Sequence, residues 1–191
     1  AGTLTGNIAD FSVDGTANGD HIIARGNSIR AFNSYYRWDN VRTPTAKLAV
    51  GVEAGSVSAM GFGLDTVSLR GTYATTGGRV ELAVEQGNSR QLTVFGDYAL
   101  NTDRKELRLA SFRFQFDTSL WSTPHATAIR WGGPGVQVDS FELRNRGGGR
   151  VYANGLLPTE GVADFRLDVD SFPVGDIIDL TESDLDMAGI I

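Results

Sequence analysis

The stretch VQVDSFEL at residues 136–143 alternates apolar and polar side chains and then breaks the alternation by one residue. Alternation of this kind is typical of a β-strand with one buried face. In a flat strand the three-residue step from Val138 to Phe141 would place these two side chains on opposite faces, because side chains alternate with period two. A bulge or bend at Asp139 and Ser140 restores them to one face. The stretch therefore predicts a strand that bends at a fixed point.

The same pattern recurs in three other copies and one partial copy, at residues 62–69, 107–114, 167–174 and 8–13. We expect a bulge or bend at the centre of each full copy, at Asp65 and Thr66, Ala110 and Ser111, Asp139 and Ser140, and Asp170 and Ser171. A glycine-containing turn and another strand follow the pattern, so that the unit is a bent hairpin. Repetition of this unit predicts an all-β fold, an elongated, curved, mainly antiparallel sheet of roughly a dozen strands and about 60 Å at the usual strand spacing.

Glycine-rich clusters separate the strand-like runs. The clusters at residues 77–78, 132–135 and 147–149 predict hairpin turns, since glycine adopts the positive φ angles that tight reversals need. A short helical turn is predicted only after Pro173, within residues 174–184. The whole chain, residues 1–191, is predicted to be a single repetitive β segment.

Composition excludes several classes of function. The chain of 191 residues carries a formal net charge of -6 and no cysteine. An acidic chain lacks the basic stripe that neutralises nucleic-acid phosphates, so we expect no nucleic-acid partner. Disulfides, thiolate nucleophiles and zinc–thiolate sites are ruled out as well. Residues 185–191 look like the start of a further strand, and the N-terminus lacks the features of a signal peptide. The sequence is therefore expected to be a segment excised from a longer protein.

Three features together resemble a known family. They are the bent pattern with Asp-Ser or Asp-Thr at its centre, the Gly-Gly-Arg-Val turn and strand at residues 77–80, and the segment GVADFRLDV at residues 161–169. With these features the chain resembles the repeats of the TamB and AsmA-like envelope proteins of diderm bacteria, most strongly from residue 62 to residue 174.

The resemblance implies a β-taco, an open half-barrel with an apolar interior, as one segment of a periplasmic bridge that conducts phospholipid between the inner and outer membranes. The partners it implies are phospholipid or another acyl-chain lipid, the adjoining segments of the full-length chain, and an outer-membrane barrel outside this segment. It implies a periplasmic location for a full-length protein anchored in the inner membrane, and it carries no catalytic motif.

The apolar members of the alternating strands are expected to line the lipid groove. These predicted groove residues are Val80, Leu82, Val84, Leu92, Val94, Leu107, Leu109, Phe112, Phe114, Val136, Val138, Phe141, Leu143, Val151, Leu167 and Val169. Phe112, Phe114 and Phe116 alternate and should share one face, which favours an acyl-chain groove but is also compatible with an ordinary closed core.

A second hypothesis is a closed β-sandwich module, structural or carbohydrate-binding, in which exposed aromatic rings stack on sugars. The aromatic residues that suggest it are Tyr35, Tyr36, Trp38, Trp121, Trp131 and Tyr152. They are scattered over different strands and are also compatible with core or interface positions.

Enzymatic chemistry has weak support. His21 and His125 are more than 100 positions apart and have no second ligand or base at a useful spacing, so we expect no catalytic residues, metal or cofactor. Acidic pairs such as Glu81 with Glu85, or Asp168 with Asp170, are explained by solvent-facing alternation. Three arginines flank the glycine turn at residues 147–149 and are candidates for contact with phosphate headgroups at a groove rim or for keeping the turn soluble, namely Arg144, Arg146 and Arg150.

Overall fold

The computed structural model describes residues 1–59, 62–87 and 89–171. Within these residues the chain is all-β, and no helix long and apolar enough to cross a membrane is found there. The predicted helical turn within residues 174–184 lies outside the described residues. The strands are β1 (Gly2–Gly6), β2 (Phe11–Ala24), β3 (Asn27–Asp39), β4 (Lys47–Ala59), β5 (Phe62–Ala74), β6 (Gly77–Gln86), β7 (Arg90–Leu100), β8 (Lys105–Phe116), β9 (Ser119–Ser122), β10 (Thr127–Trp131), β11 (Gly135–Asn145), β12 (Arg150–Pro158) and β13 (Asp164–Asp170).

All thirteen strands form one antiparallel sheet, which confirms the predicted fold class. The strands follow each other in the sheet almost in chain order, as a meander. β9 and β10 are the exception, because they share the space between β8 and β11 as two halves of one interrupted strand. β10 pairs with the first half of β8, through Thr127 and Leu109, and β9 pairs with the second half, through Trp121 and Phe114. The curvature of the sheet stays a prediction.

Tight turns with positive φ angles connect several of the hairpins. Arg25 and Gly26 join β2 to β3 with φ angles of 50° and 80°, and Thr75 begins the two-residue turn between β5 and β6 with a φ of 58°. Positive φ at the centre of a two-residue turn matches the twist of the flanking strands. The meander thus depends on local reversals.

The predicted turn at residues 77–78 was wrong. Gly77 and Gly78 are the first two residues of β6, and the reversal lies before them, at residues 75–76. A Cβ atom on Gly78 would collide with the backbone oxygen of Thr72, and one on Gly77 with that of Tyr98. These two positions therefore exclude side chains because of close backbone approach, a use of glycine that its sequence pattern does not distinguish from a turn.

Two of the four predicted irregularities are bulges that shift the register. In β11, Val138 pairs with Gly155 and Phe141 pairs with Ala153. Two residues, Asp139 and Ser140, therefore lie opposite a single residue of β12, which makes one of them the extra residue of a bulge. In β8, Leu109 pairs with Gly96 and Ser111 pairs with Phe95, so Ala110 between them is an extra residue without a partner in β7. Both bulges lie where the sequence predicted them, and both return the following apolar residue to the face that the preceding one occupies.

The other two irregularities differ from bulges. At Asp65 the pairing with Ser56 of β4 is missing, yet the register is the same on both sides of the gap. Ser56 has a φ of 49°, so the distortion is on the partner strand. The side chain of Asp65 accepts a hydrogen bond of 2.8 Å from the amide of Gly87. At the fourth site β13 ends at Asp170, and Ser171 has a φ of 50°.

Few side chains of the described residues are buried. The buried apolar ones are Ala54, Leu109, Phe116, Trp121 and Ala153. Close backbone contacts between described strands join only hydrogen-bonded neighbours within the one sheet. Backbone pairing and cross-strand side-chain contacts are thus the main stabilising interactions that the strands make with each other.

The bulge at Ser140 gives a test of the fold. Ser140 has a φ of 49°, a region in which a β-branched side chain is strained, and its backbone amide donates a 3.0 Å hydrogen bond to the Asn154 side chain. We expect Ser140→Val to lower the free energy of unfolding by about 1 to 3 kcal/mol and Ser140→Gly to change it little. Urea denaturation measures both. Ser68→Val, at a regularly paired and half-buried strand position, is the control, and equal losses at Ser68 and Ser140 would contradict a strained bulge.

Candidate functional site

The groove residues all lie in strands and share one face of the sheet. Residues directly opposite each other in an antiparallel pair point to the same side, so the pairs trace a face from strand to strand. The pairs run from β6 through β7 to β8, then through Ile129 of β10 to β11, and on to β12 and β13. We call the face that carries the groove residues the apolar face, and the opposite one the polar face.

The apolar face is continuous across the strands. One row of cross-strand neighbours begins at Val52 of β4 and continues through Leu69, Leu82, Val94 and Phe112. A parallel row begins at Ala54 and contains Val67, Val84, Leu92 and Phe114. Each row crosses five strands without a charged side chain, so apolar contact extends along the sheet, perpendicular to the strands.

The two bulges keep the aromatic residues of the apolar face together. Phe112 follows the bulge at Ala110 and Phe141 follows the bulge at Ser140, and their rings meet edge to face with centroids 6.4 Å apart. The rings of Phe114 and Phe116 are 6.3 Å apart on the same face of β8. The predicted alignment of Phe112, Phe114 and Phe116 is confirmed. Without the extra residue in each strand, one member of the Phe112–Phe141 pair would face the other way.

Two tyrosines stack on the apolar face above a glycine. Tyr73 and Tyr98 flank Gly78 on neighbouring strands, and their rings are stacked with centroids 6.3 Å apart. The Tyr98 hydroxyl donates a 2.9 Å hydrogen bond to the backbone oxygen of Thr72, and burial raises the pKa of the Tyr98 phenol. The pair presents ring surface while its polar end is bonded to the backbone.

Much of the apolar face remains accessible to solvent. Leu167 is 61% exposed, Val136 and Val169 are each 40% exposed, and most other groove residues are half-buried. A small hollow of about 150 Å³ lies between Leu64, Val84, Leu92 and Phe114, with Arg90 at its edge. A contiguous apolar surface that stays accessible to solvent often marks a site for a ligand or partner.

The polar face is stabilised by ion pairs. Glu142, with a side chain only 7% exposed, accepts hydrogen bonds from Arg150 at 2.6 Å and from Arg144 at 3.0 Å. The hydrogen bond from Arg150 is the main reason that the pKa of Glu142 lies below its ordinary value. A second cluster joins Arg130 to Glu106 at 2.6 Å and to Asp139. The two faces of the sheet therefore differ sharply in charge.

Glu142 makes stability depend on pH. Because its pKa is lowered on folding, its contribution is fully present above the unfolded value of 4.5 and is lost as pH falls through the folded value. We expect Glu142→Gln to cost about 1 to 3 kcal/mol at pH 7 and much less at pH 3. Urea denaturation at the two pH values measures the difference. Glu160→Gln, at an exposed position, is the control, and an equal cost of Glu142→Gln at both pH values would contradict this role.

The histidines do not come together with other ligands in a metal site. His125 lies at the bulge of β11, where its Nε2 is 3.2 Å from the backbone oxygen of Ser140, and His21 is exposed in β2. No cluster of three or more histidine, aspartate or glutamate side chains suited to a metal occurs among the described residues. Within the part of the chain that the structure describes, neither histidine thus belongs to a cluster of metal-ligating side chains.

Two of the three candidate arginines near the glycine turn do not line the apolar face. Arg144 and Arg150 pair with each other across β11 and β12 and project to the polar face, where both contact Glu142. A role at the rim of the groove is therefore not favoured for these two residues.

The six candidate aromatics do not form one platform. Trp121 is 1% exposed, and Tyr36 and Trp38 belong to the apolar face, opposite Val50 and Leu48. Trp131 pairs with Lys105. The guanidinium of Arg150 lies over the Tyr152 ring at 4.9 Å. Tyr35 is on the polar face and is 50% exposed.

The predicted groove residues leave out the apolar face of strands β3 to β5, although the bent pattern at residues 62–69 already marked β5 as a strand of this kind. The missed residues include Phe32, Leu48, Val50, Val52, Val67 and Leu69, together with Ile129 of β10. The stretch LAVGVEA at residues 48–54 carries the alternation that would have identified β4, but its small residues on the second face made it look uniformly apolar.

Comparison with known proteins gives no relative for this chain. No protein-family profile matches it. Searches of curated proteins and of solved structures likewise find no significant match. The function must therefore be argued from the geometry of the sheet.

Proposed function

We propose that this chain is a non-enzymatic segment of a lipid-transfer bridge, and that phospholipid acyl chains move along its apolar face. The observation that carries the proposal is the continuous apolar face, which runs across successive strands and is partly accessible to solvent. Acyl chains are the natural occupant of such a surface, since they need apolar contact and no hydrogen bonds.

The energetics suit a path better than a fixed binding pocket. Each CH₂ group moved from water onto an apolar lining gains about 0.8 kcal/mol, so a tail of ordinary length is held by many equal contacts. The rows from Val52 to Phe112 and from Ala54 to Phe114 offer such contacts on every strand without a polar group that would fix one position. A lipid can therefore slide across strands at little cost.

The ends of the sheet support a role as one segment of a longer bridge. β1 and β13 lie at opposite ends of the sheet, and each pairs with one described strand only. An edge strand with unpaired backbone groups extends readily by pairing with a further strand. Adjoining segments of a full-length chain would lengthen the same apolar face in both directions.

The bridge would work in the periplasm of a diderm bacterium, between the inner and outer membranes. This location follows from the resemblance to the TamB and AsmA-like repeats, and the open apolar face is the feature of the sheet that agrees with it. The alternative, a β-sandwich of two separate sheets, is less well supported, since all described strands belong to one sheet.

Site-specific crosslinking tests where lipid binds. A photoreactive phenylalanine analogue is placed at Val138 or Phe114 on the apolar face, and at the adjacent Gln137 or Arg113 on the polar face. The purified protein is illuminated with vesicles of phosphatidylethanolamine and phosphatidylglycerol, and covalently attached lipid is measured by mass spectrometry. We expect attachment from Val138 and Phe114 to exceed that from their neighbours by about tenfold, in line with a buried acyl chain on one face. Equal attachment from both faces, or none, would exclude the apolar face as the lipid site.

A single charge should obstruct the path. Val138→Glu places a carboxylate between Ile129 and Gly155 on the apolar face, whereas Gln137→Glu places the same charge one residue away on the polar face. We expect Val138→Glu to reduce lipid transfer between donor and acceptor vesicles by about fivefold or more, because an unpaired charge against acyl chains is costly. Gln137→Glu should leave transfer unchanged. Circular dichroism checks that both variants keep the β-sheet, and equal effects of the two variants would contradict the proposal.

A further inference from the structure

A cavity of about 300 Å³ opens on the polar face, on the side away from the proposed lipid path. Its floor is built by four neighbouring strands, β2 to β5, and seven of its lining residues form two cross-strand rows. The first row is Thr16, Tyr35, Gly51 and Arg70, and the second contains Asn18, Asn33 and Glu53. All seven project from the same face, since each row consists of directly paired residues.

Tyr35 forms an aromatic platform in this cavity. Its ring lies over Gly51, and the ring atoms Cε1 and Cζ occupy the space in which a side chain at that position would stand. The absence of a side chain at Gly51 therefore allows the Tyr35 ring to lie against the backbone. The side chain of Tyr35 is nevertheless 50% exposed. Contact with the backbone on one side fixes the ring, and the exposed remainder is available for stacking.

Polar side chains surround the platform. The side-chain amides of Asn18 and Asn33 make no hydrogen bond to the rest of the described chain, so both side chains offer donors and acceptors to a ligand. Glu53 and Arg70 lie 3.8 Å apart at the other side, with side chains 66% and 58% exposed. Because these two charges are opposite and adjacent, they add hydrogen-bonding capacity and little net charge.

We propose that this cavity binds a pyranose unit of an uncharged glycan. A pyranose has an apolar face of C–H groups, which packs on an aromatic ring, and a rim of hydroxyls, each of which donates and accepts. The platform and the ring of amide, carboxylate and guanidinium groups match these two properties. A stacked nucleobase fits less well, because a nucleotide brings a phosphate and the chain is acidic overall.

Titration with neutral oligosaccharides tests the site. The purified chain is titrated separately with maltohexaose, cellohexaose and chitohexaose, and binding is followed by two-dimensional amide NMR and by calorimetry. We expect saturable binding of at least one of them, with shifts at the amides of Asn33 and Gly51. Tyr35→Ala should weaken that binding by about tenfold or more, as expected for the loss of a central aromatic anchor, and Asn33→Ala by about threefold.

Tyr36→Ala is the matched control, since Tyr36 is the next residue on the same strand and points to the apolar face. It should leave sugar binding within about twofold of the wild type. If none of the three oligosaccharides binds, or if Tyr36→Ala weakens binding as much as Tyr35→Ala, the proposal is wrong. The lipid crosslinking at Val138 probes the apolar face and the sugar titration probes the polar face. Failure of the sugar site therefore leaves the test of the lipid path unchanged, and the two proposals are tested independently.

Discussion

The whole sheet depends on keeping the two-residue alternation of side chains in phase from strand to strand. A strand whose phase slips by one residue turns its apolar side chains to the polar face. In this chain the phase is corrected inside the strands, by the extra residue at Ala110 of β8 and by the bulge at Asp139 and Ser140 of β11. Because of these two corrections, Leu109 and Phe112 share a face, and so do Val138 and Phe141. The aromatic cluster of the apolar face exists only because both strands are corrected.

The two faces of the sheet carry different side chains and suit different tasks. The polar face carries the ion pairs around Glu142 and Arg130, which suit solvent, and the apolar face carries the rows that we assign to lipid. In a sandwich the apolar face of one sheet would be buried against a second sheet and could not bind a ligand. Here all described strands belong to one sheet in which neighbours are joined by backbone hydrogen bonds, and part of the apolar surface remains accessible.

Much of this architecture could be predicted from the sequence, and the failures have physical causes. Alternation and its interruptions are local properties, which is why the bulges in β8 and β11 and the face shared by the groove residues follow from the residues themselves. The turn at Thr75 was missed because a non-glycine residue adopts positive φ there, while Gly77 and Gly78 are needed for close backbone approach. The division into β9 and β10 was missed because it depends on which half of β8 each piece pairs with. Tyr35 and Tyr36 look equivalent in sequence, and only the pairing with Gly51 and Val50 separates their faces.

The meander order of the strands has a consequence for how such a protein changes in length. Outside the β8–β11 region each described strand pairs only with strands adjacent in the chain, so contacts are local and the sheet resembles a one-dimensional array. In such an array a hairpin can be gained or lost by duplication or deletion while its neighbours keep their partners. The length of the sheet perpendicular to its strands can then change during evolution in steps of one hairpin, about 10 Å each, to match the distance that the bridge has to cover.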